Sequence, residues 1–197
     1  MTGVQTCALP IFPIPEHWPQ AYAQDVGWKA TGVVWGAWDR EHDIWYVHSI
    51  YKRGQTEPAV HAAAIKSRGD WIPGIMDPAA NGSSQRDGKK LKDEYEELMG
   101  DDITNAVNSV EAGIFECYKR MTTGRLKVFK SCTQWFEEFR IYRRDKRGKV
   151  VKENDHLMDP TRYLVMTGKD VAIVYNKGLL RNLSVTEIMD RVPLGVG

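Results

Sequence analysis

Between residues 21 and 51 the apolar positions fall in short runs rich in β-branched and aromatic side chains. Residues 21–25 read AYAQD, residues 31–38 TGVVWGAW and residues 44–51 IWYVHSIY. Such side chains suit a pleated, half-buried surface. The polar stretch 39–43 has room only for a tight connection, so these runs are predicted to form an antiparallel meander. Trp35 and Trp38 lie three apart in one run and are expected on opposite sheet faces, as core. Further along, the spacing lengthens to that of helices. Helices are predicted over residues 58–68, 89–99, 106–121, 132–142 and 155–167. The third is expected to set Val107, Val110, Ile114 and Tyr118 near one face. Short apolar runs at 71–76 (WIPGIM) and 126–129 read as further strands, the second following the break at Gly124. Residues 12–20, with Pro13, Pro15 and Pro19, form an extended lead-in, and the Gly-, Ser- and Asn-rich residues 78–88 a loop. Residues 143–152 read as a basic turn or hairpin, and the stretch after Gly168 is left unassigned. The order of elements predicts an α/β fold: a mixed central sheet, part antiparallel meander and part parallel, flanked by helices.

A chain of 197 residues suits one domain with a sizeable core, and the 42% hydrophobic and 27% charged shares are ordinary. The seven Trp are expected mainly in that core. No run of about 18 apolar residues is present, so no membrane span is expected. Cys7, Cys117 and Cys132 lack metal-ligand spacing, and so sparse and odd a set argues for a reducing compartment rather than secretion. No GxxxxGK[ST] loop occurs, so no nucleotide-binding P-loop is expected. Residues 1–11, MTGVQTCALPI, resemble a translated sequencing adapter and are set aside as an artefactual or disordered leader. On that reading the natural protein starts further upstream and this chain is its C-terminal piece. The domain is expected over residues 12–168, with residues 169–197 as a tail.

Three acidic residues stand where elements end. Asp25 closes the first strand of the meander, Asp77 follows WIPGIM, and Asp159 lies in the run Asn154-Asp155-His156-Leu157-Met158-Asp159. Strand ends and a helix start can converge on one edge of a sheet. An anionic phosphodiester repels a nucleophile, and two Mg²⁺ or Mn²⁺ ions held by carboxylates overcome that repulsion. His156 and Asp159 share a face if both are helical, whereas Asp155 points about 100° away from His156. Each Asp also fits a turn or cap, Asp77 and Asp159 especially, since each precedes a proline. Net charge is only +1, but it is unevenly spread. Residues 140–152, RIYRRDKRGKVVK, set Arg140, Arg143, Arg144, Lys146, Arg147, Lys149 and Lys152 against Asp145. A basic hairpin of this kind neutralises phosphates, or is simply a solvated turn. Lys89, Lys90 and Lys92 are balanced by neighbouring acids and read as an exposed helix face. His17, His42, His48 and His61 are scattered and read as structural.

The stretches AYAQDVGWKATGVVWGAWDREHDIWYVHSIYKRG, IMDPAANGSSQRDG and NDHLMDPTRY together resemble the C-terminal nuclease domain of tailed-phage large terminase subunits. The resemblance runs over residues 12–166, and the closing motif is its most specific part. Pro160 departs from the alanine commoner at that place. The resemblance implies an RNase H-like fold and a nuclease that cuts concatemeric viral DNA. Asp25, Asp77 and Asp159 would be metal ligands, with Asp155 and His156 secondary, around Mg²⁺ or Mn²⁺. It further implies double-stranded DNA, a packaging ATPase domain, a small terminase subunit and a portal as partners, in the cytoplasm of an infected bacterium. A Holliday-junction-resolvase-like or transposase-like nuclease would share the fold, and a catalytically silent DNA- or portal-docking module would need no metal. The Asp-His-x-x-Asp-x-x-Arg-Tyr ending favours the terminase.

Overall fold

Antiparallel neighbours need only a tight turn between them, whereas parallel neighbours need a crossover, and the chain uses both in one sheet. The computed structural model describes residues 8–82, 90–101 and 103–176. Its strands are β1 (Ala8–Leu9), β2 (Gln20–Asp25), β3 (Thr31–Asp39), β4 (Ile44–Arg53), β5 (Gly74–Met76), β6 (Thr104–Asn105) and β7 (Leu126–Phe129). The helices are α1 (Pro58–Lys66), α2 (Leu91–Met99), α3 (Val110–Thr122), α4 (Thr133–Ile141) and α5 (Met158–Val171). The seven strands line up as β1-β7-β4-β3-β2-β5-β6. β2, β3 and β4 form the expected antiparallel meander. β5 joins β2, β6 joins β5, and β7 joins β4, all in parallel. Each parallel neighbour is reached through helical chain: α1 before β5, α2 before β6, α3 before β7.

Side-chain alternation divides the core. Ala21, Ala23, Val34 and Ile75 face α5, where Tyr163 and Leu164 meet them, with Trp135 of α4 in the same cluster. Tyr22, Val33 and Trp35 face the opposite side and pack on Ile65 of α1 and Ile72. Trp35 and Trp38 therefore do fall on opposite faces; Trp38 stacks with Trp45 at 6.2 Å. α5 is buried almost all round at its N-terminal half, as expected of a helix covered on several sides.

Four features differ from the sequence-based reading. Ala8 and Leu9, set aside with the leader, pair with Val128 and Phe129 as an edge strand. The polar pair Thr104–Asn105 forms β6, which composition does not signal. α3 starts at Val110 rather than 106, because the preceding backbone is spent elsewhere: Ala106 N donates to Met76 O (2.8 Å) and Val107 N to Thr167 Oγ1 (3.0 Å). Val107, Phe115 and Tyr118 are exposed. The inward face of α3 is built around Gly113 instead, where a Cβ would stand 2.4 Å from Arg162 Cγ. Finally, α5 begins at Met158, after a turn, and runs to Val171; Ile173 then bonds back to Gln20. Of the predicted loop 78–88, residues 78–81 form a 3-10 turn; residues 83–89, including Lys89, lie outside the described residues.

The β3–β4 register pairs Trp35 with Ser49 but Gly36 with Val47, leaving His48 as an extra residue. Its Nε2 is buried without a hydrogen-bond partner, and burial pushes its pKa down to about 4. The unfolded chain protonates this ring near pH 6.5, so its contribution is intact above that pH and is lost as pH falls toward 4. Between pH 6.5 and 4.5 the loss should be about 2–3 kcal/mol. Urea unfolding at both pH values should show that component disappearing in His48→Phe. An identical pH slope in the two proteins would contradict it.

Candidate metal centre and nucleic-acid face

Strand register brings the first two carboxylates together. Gln24 pairs with Met76 across β2 and β5, so Asp25 and Asp77 occupy the next rung of two parallel neighbours. Asp25 shares the face of Ala21 and Ala23, toward α5. The N-terminal turn of α5 supplies Asp159, where the helix dipole favours a negative charge. Asp25 feels the charges of the other two. Burial pushes the Asp25 carboxyl pKa up, the His156 hydrogen bond opposes this, and the negative charges of Asp159 and Asp77 push it up further. Tyr163 reports the same neighbourhood: burial and then the charges of Asp159, Asp77 and Asp25 hold its phenol well above the ordinary value.

The segment carrying Asp155 and His156 is a turn held from two sides. Asn154 takes a left-handed φ of 50°, and the Asp155 carbonyl accepts from Met158 N and Asp159 N, both at 3.0 Å. On one side Gly32 of β3 lies so close that a Cβ there would stand 1.7 Å from the His156 carbonyl oxygen. On the other, buried Glu138 of α4 accepts the Leu157 N–H at 2.6 Å and an ion pair from Lys52 of β4 at 2.5 Å. His156 thereby reaches Asp25, with Nδ1 3.2 Å from Oδ2. That hydrogen bond raises the imidazole pKa; partial burial opposes it.

This geometry corrects the expectation that His156 and Asp159 share a helix face. His156 precedes α5 and turns to Asp25, whereas Asp155 and Asp159 stand together around Lys152. Lys152 Nζ is 2.7 Å from Asp159 Oδ2 and 3.4 Å from Asp155 Oδ2, and Arg162 holds Asp159 Oδ1 at 3.1 Å. Asp77 does act as a cap, accepting from Ala79 N at 3.0 Å, and its Oδ1 also accepts from Asn108 Nδ2 at 3.1 Å. Glu138, Lys52, Arg162 and Asn108 were not anticipated. Arg162 alone had a local signal, three residues after Asp159; the others meet the site only through the fold.

The donor set is that of a hard divalent cation: several carboxylates with an imidazole beside them. Asp155 Oδ2 is buried with no hydrogen-bond donor, an acceptor with capacity to spare. Among the described residues no group of three or more His, Cys, Asp or Glu side chains is placed to hold a metal ion as it stands. Asp25 is engaged by His156, Asp159 by Lys152 and Arg162, and Asp77 by Asn108.

The basic stretch does form a hairpin, with Arg144 bridged to Val150 and Asp145 Oδ1 accepting from Arg147 N and Lys149 N. Arg140, Lys146, Arg147 and Lys149 are exposed. Arg144 is not held free: it makes a bidentate pair with Glu111 at 2.6 and 2.9 Å. Arg143 lies 3.6 Å from Glu153.

Gly32→Ala should drive the His156 backbone away and break the contact with Asp25. We expect a loss of about 2–4 kcal/mol of stability, read by thermal melting. The His156 pKa, followed by NMR, should fall back toward 6.5. A folded Gly32→Ala protein with an unaltered His156 titration would show that the turn is held without this contact.

Residues 25–167 match the Terminase RNaseH-like domain family. The large terminase subunit of Enterobacteria phage LP7 is 36% identical over 161 residues, covering 77% of this chain and 34% of that protein. The chain thus spans about a third of the length of the curated relatives it matches. The solved nuclease domain of the phage P22 large terminase superposes with a TM-score of 0.74 at 32% identity, covering 85% of this chain and 89% of that one. The nuclease domain of the large terminase of bacteriophage SPP1, solved with bound Mn, shares the fold: TM-score 0.53, 15% identity, 78% of this chain and 86% of that one. With the mixed sheet, the five flanking helices and this match over most of its length, the chain belongs to the terminase RNase H-like domain family.

Proposed function

We propose that this domain is a divalent-metal-dependent DNA endonuclease of a tailed-phage packaging terminase, acting on concatemeric viral DNA. The observation that carries the reading is the placement of Asp25 and Asp77 just at the ends of the neighbouring parallel strands β2 and β5, with Asp159 in the first turn of α5, which packs on that face of the sheet. Asp25, Asp77 and Asp159 are the ligands of Mg²⁺ or Mn²⁺, with Asp155 adding its undersatisfied oxygen and His156 orienting Asp25. The Mn of the SPP1 nuclease domain supports a cation of this class. Bound there by Asp25, Asp77 and Asp159, such a cation would supply charge neutralisation for hydrolysis of the anionic phosphodiester. The chain's own contribution is to fix the carboxylates: the rung shared by Asp25 and Asp77, the α5 terminus for Asp159, and the Gly32–Glu138 clamp for the turn.

Double-stranded DNA is the substrate, held by its phosphates through Arg140, Lys146, Arg147 and Lys149. Arg143 and Arg144 join only on exchanging their carboxylate partners for phosphate. A packaging ATPase domain in the same polypeptide, a small terminase subunit and a portal are the partners, in the cytoplasm of the infected bacterium. The relatives' greater length supports the first of these. Among the described residues no helix is long and apolar enough to cross a membrane.

Plasmid nicking measured with Mg²⁺, Mn²⁺ or EDTA, beside Asp77→Ala, tests the chemistry. Cutting should require metal and fall by about 100-fold or more in the variant, the several kcal/mol expected when metal stabilisation of the transition state is impaired. A folded wild-type protein that binds DNA but never cuts, whatever the metal, would instead be a docking module. Replacing Lys146, Arg147 and Lys149 together by Ala should make the slope of log affinity against log salt shallower by about 2–3, near 0.9 per phosphate contact. Arg144→Ala should change that slope by less than about 1, because Glu111 already holds the guanidinium. Equal slopes for the triple variant and the wild type would remove the hairpin from the DNA face.

A further inference from the structure

Asp159 is flanked by two cations of different character. Arg162 is 2% exposed, lies on α5 itself and packs against Gly113 of α3. Lys152 comes from the segment just after the hairpin, and its side chain is 60% exposed. The carboxylates it meets are sunk beneath it, Asp159 at 8% and Asp155 at 9% exposure. The two cations also divide the Asp159 oxygens, Arg162 on Oδ1 and Lys152 on Oδ2. Withdrawing Arg162 would strand a buried guanidinium. Lys152 can swing its ammonium into water on a flexible four-carbon stem at small cost.

Resting on the reading of this site as a metal centre, we propose that Lys152 is its resident counter-cation: the ammonium occupies the Asp155–Asp159 side of the cluster, and a divalent ion enters by displacing it. The oxygens it covers support this. Asp155 Oδ2, 3.4 Å from Nζ, is buried without a hydrogen bond, so the ammonium neutralises that carboxylate without satisfying it. Arg162 is spent on Asp159 Oδ1, so on the Oδ2 side one ammonium is shared by the two carboxylates and cancels their repulsion there only in part. A doubly charged ion with room for several oxygen ligands cancels more of it and uses the spare acceptor. Metal affinity therefore includes a cost for evicting Lys152. In exchange, Asp155, whose ion pair is with Lys152 and not with Arg162, keeps a counter-charge in the metal-free protein.

Mn²⁺ binding is measured on the full chain by calorimetry and by the loss of the free-Mn²⁺ EPR signal, for wild type, Lys152→Met and Lys152→Arg, with melting in EDTA alongside. In Lys152→Met the affinity for Mn²⁺ should rise about three- to tenfold, the scale of a partly exposed ion pair made with two carboxylates. The same variant should melt lower in EDTA and gain more from added Mn²⁺, and Lys152→Arg should stay near wild type. A purely structural lysine would lower the melting temperature without raising the affinity. If wild type binds Mn²⁺ and Lys152→Met binds it no more tightly, the exchange is refuted while the metal centre stands. If neither protein binds Mn²⁺, the metal-centre reading fails and takes the exchange with it. Binding seen only in Lys152→Met supports the exchange.

Discussion

Carboxylates gathered in a half-buried space repel one another, and much of the structure around this site answers that repulsion. Asp25 yields by holding its proton more tightly than an ordinary carboxyl group and by pairing with His156. Asp159 is met by the amino end of α5, by Arg162 and by Lys152. Asp77 relies on neutral donors, a backbone N–H and Asn108. Each carboxylate is thus handled by a different means, and the means differ in how readily they give way. Backbone donors and a buried arginine are fixed; an exposed lysine and a neutralisable imidazole are not. The side of the cluster nearest Lys152 is consequently the side most open to exchange.

Holding charge in place also demands a backbone that does not drift. The His156–Leu157 turn carries no side-chain cap of its own, so its position depends on what presses on it. Gly32 permits contact at a distance that any Cβ would forbid. The Lys52–Glu138 pair links β4 to α4 and spends the second carboxylate oxygen on the Leu157 N–H. An ion pair this deep gives little net stability by itself, but it fixes a backbone atom two residues from Asp159. Packing and electrostatics here serve one end, the spacing of oxygen atoms.

The sheet was legible because its signals are local. The meander runs are dense in β-branched and aromatic residues with no room for anything but turns between them; Asp25 ends the first of those runs, and Asp77 follows the separate apolar run 71–76. What escaped was whatever depends on contacts between distant segments. β6 is two polar residues recruited by the edge of β5. The spacing set Val107, Val110, Ile114 and Tyr118 near one face of the α3 segment, yet Val107 and Tyr118 are exposed, and Gly113 sets the approach to Arg162. The run from Asp155 to Asp159 is compatible with helix throughout; only the clamp from Gly32 and Glu138 makes its first part a turn, which separates His156 from Asp159. Arg144 carries charge like its neighbours in the hairpin, but Glu111 of α3 claims it.

Strand register ties the fold to the site most directly. Side chains alternate along β2, so a slip of one residue would turn Asp25 from the α5 face into the cluster of Tyr22, Val33, Trp35 and Ile65. There a carboxylate would have neither His156 nor water, at a cost of several kcal/mol unless it stayed protonated. Gln24, which does face that side, shows how poorly the cluster serves a polar group: both ends of its amide are buried without hydrogen bonds. The same slip would separate Asp25 from Asp77, since the pairing of Gln24 with Met76 is what sets them on one rung. The charge on Asp25 therefore helps to select the register that brings it beside Asp77, and the residues expected to hold metal also contribute to specifying the sheet that presents them.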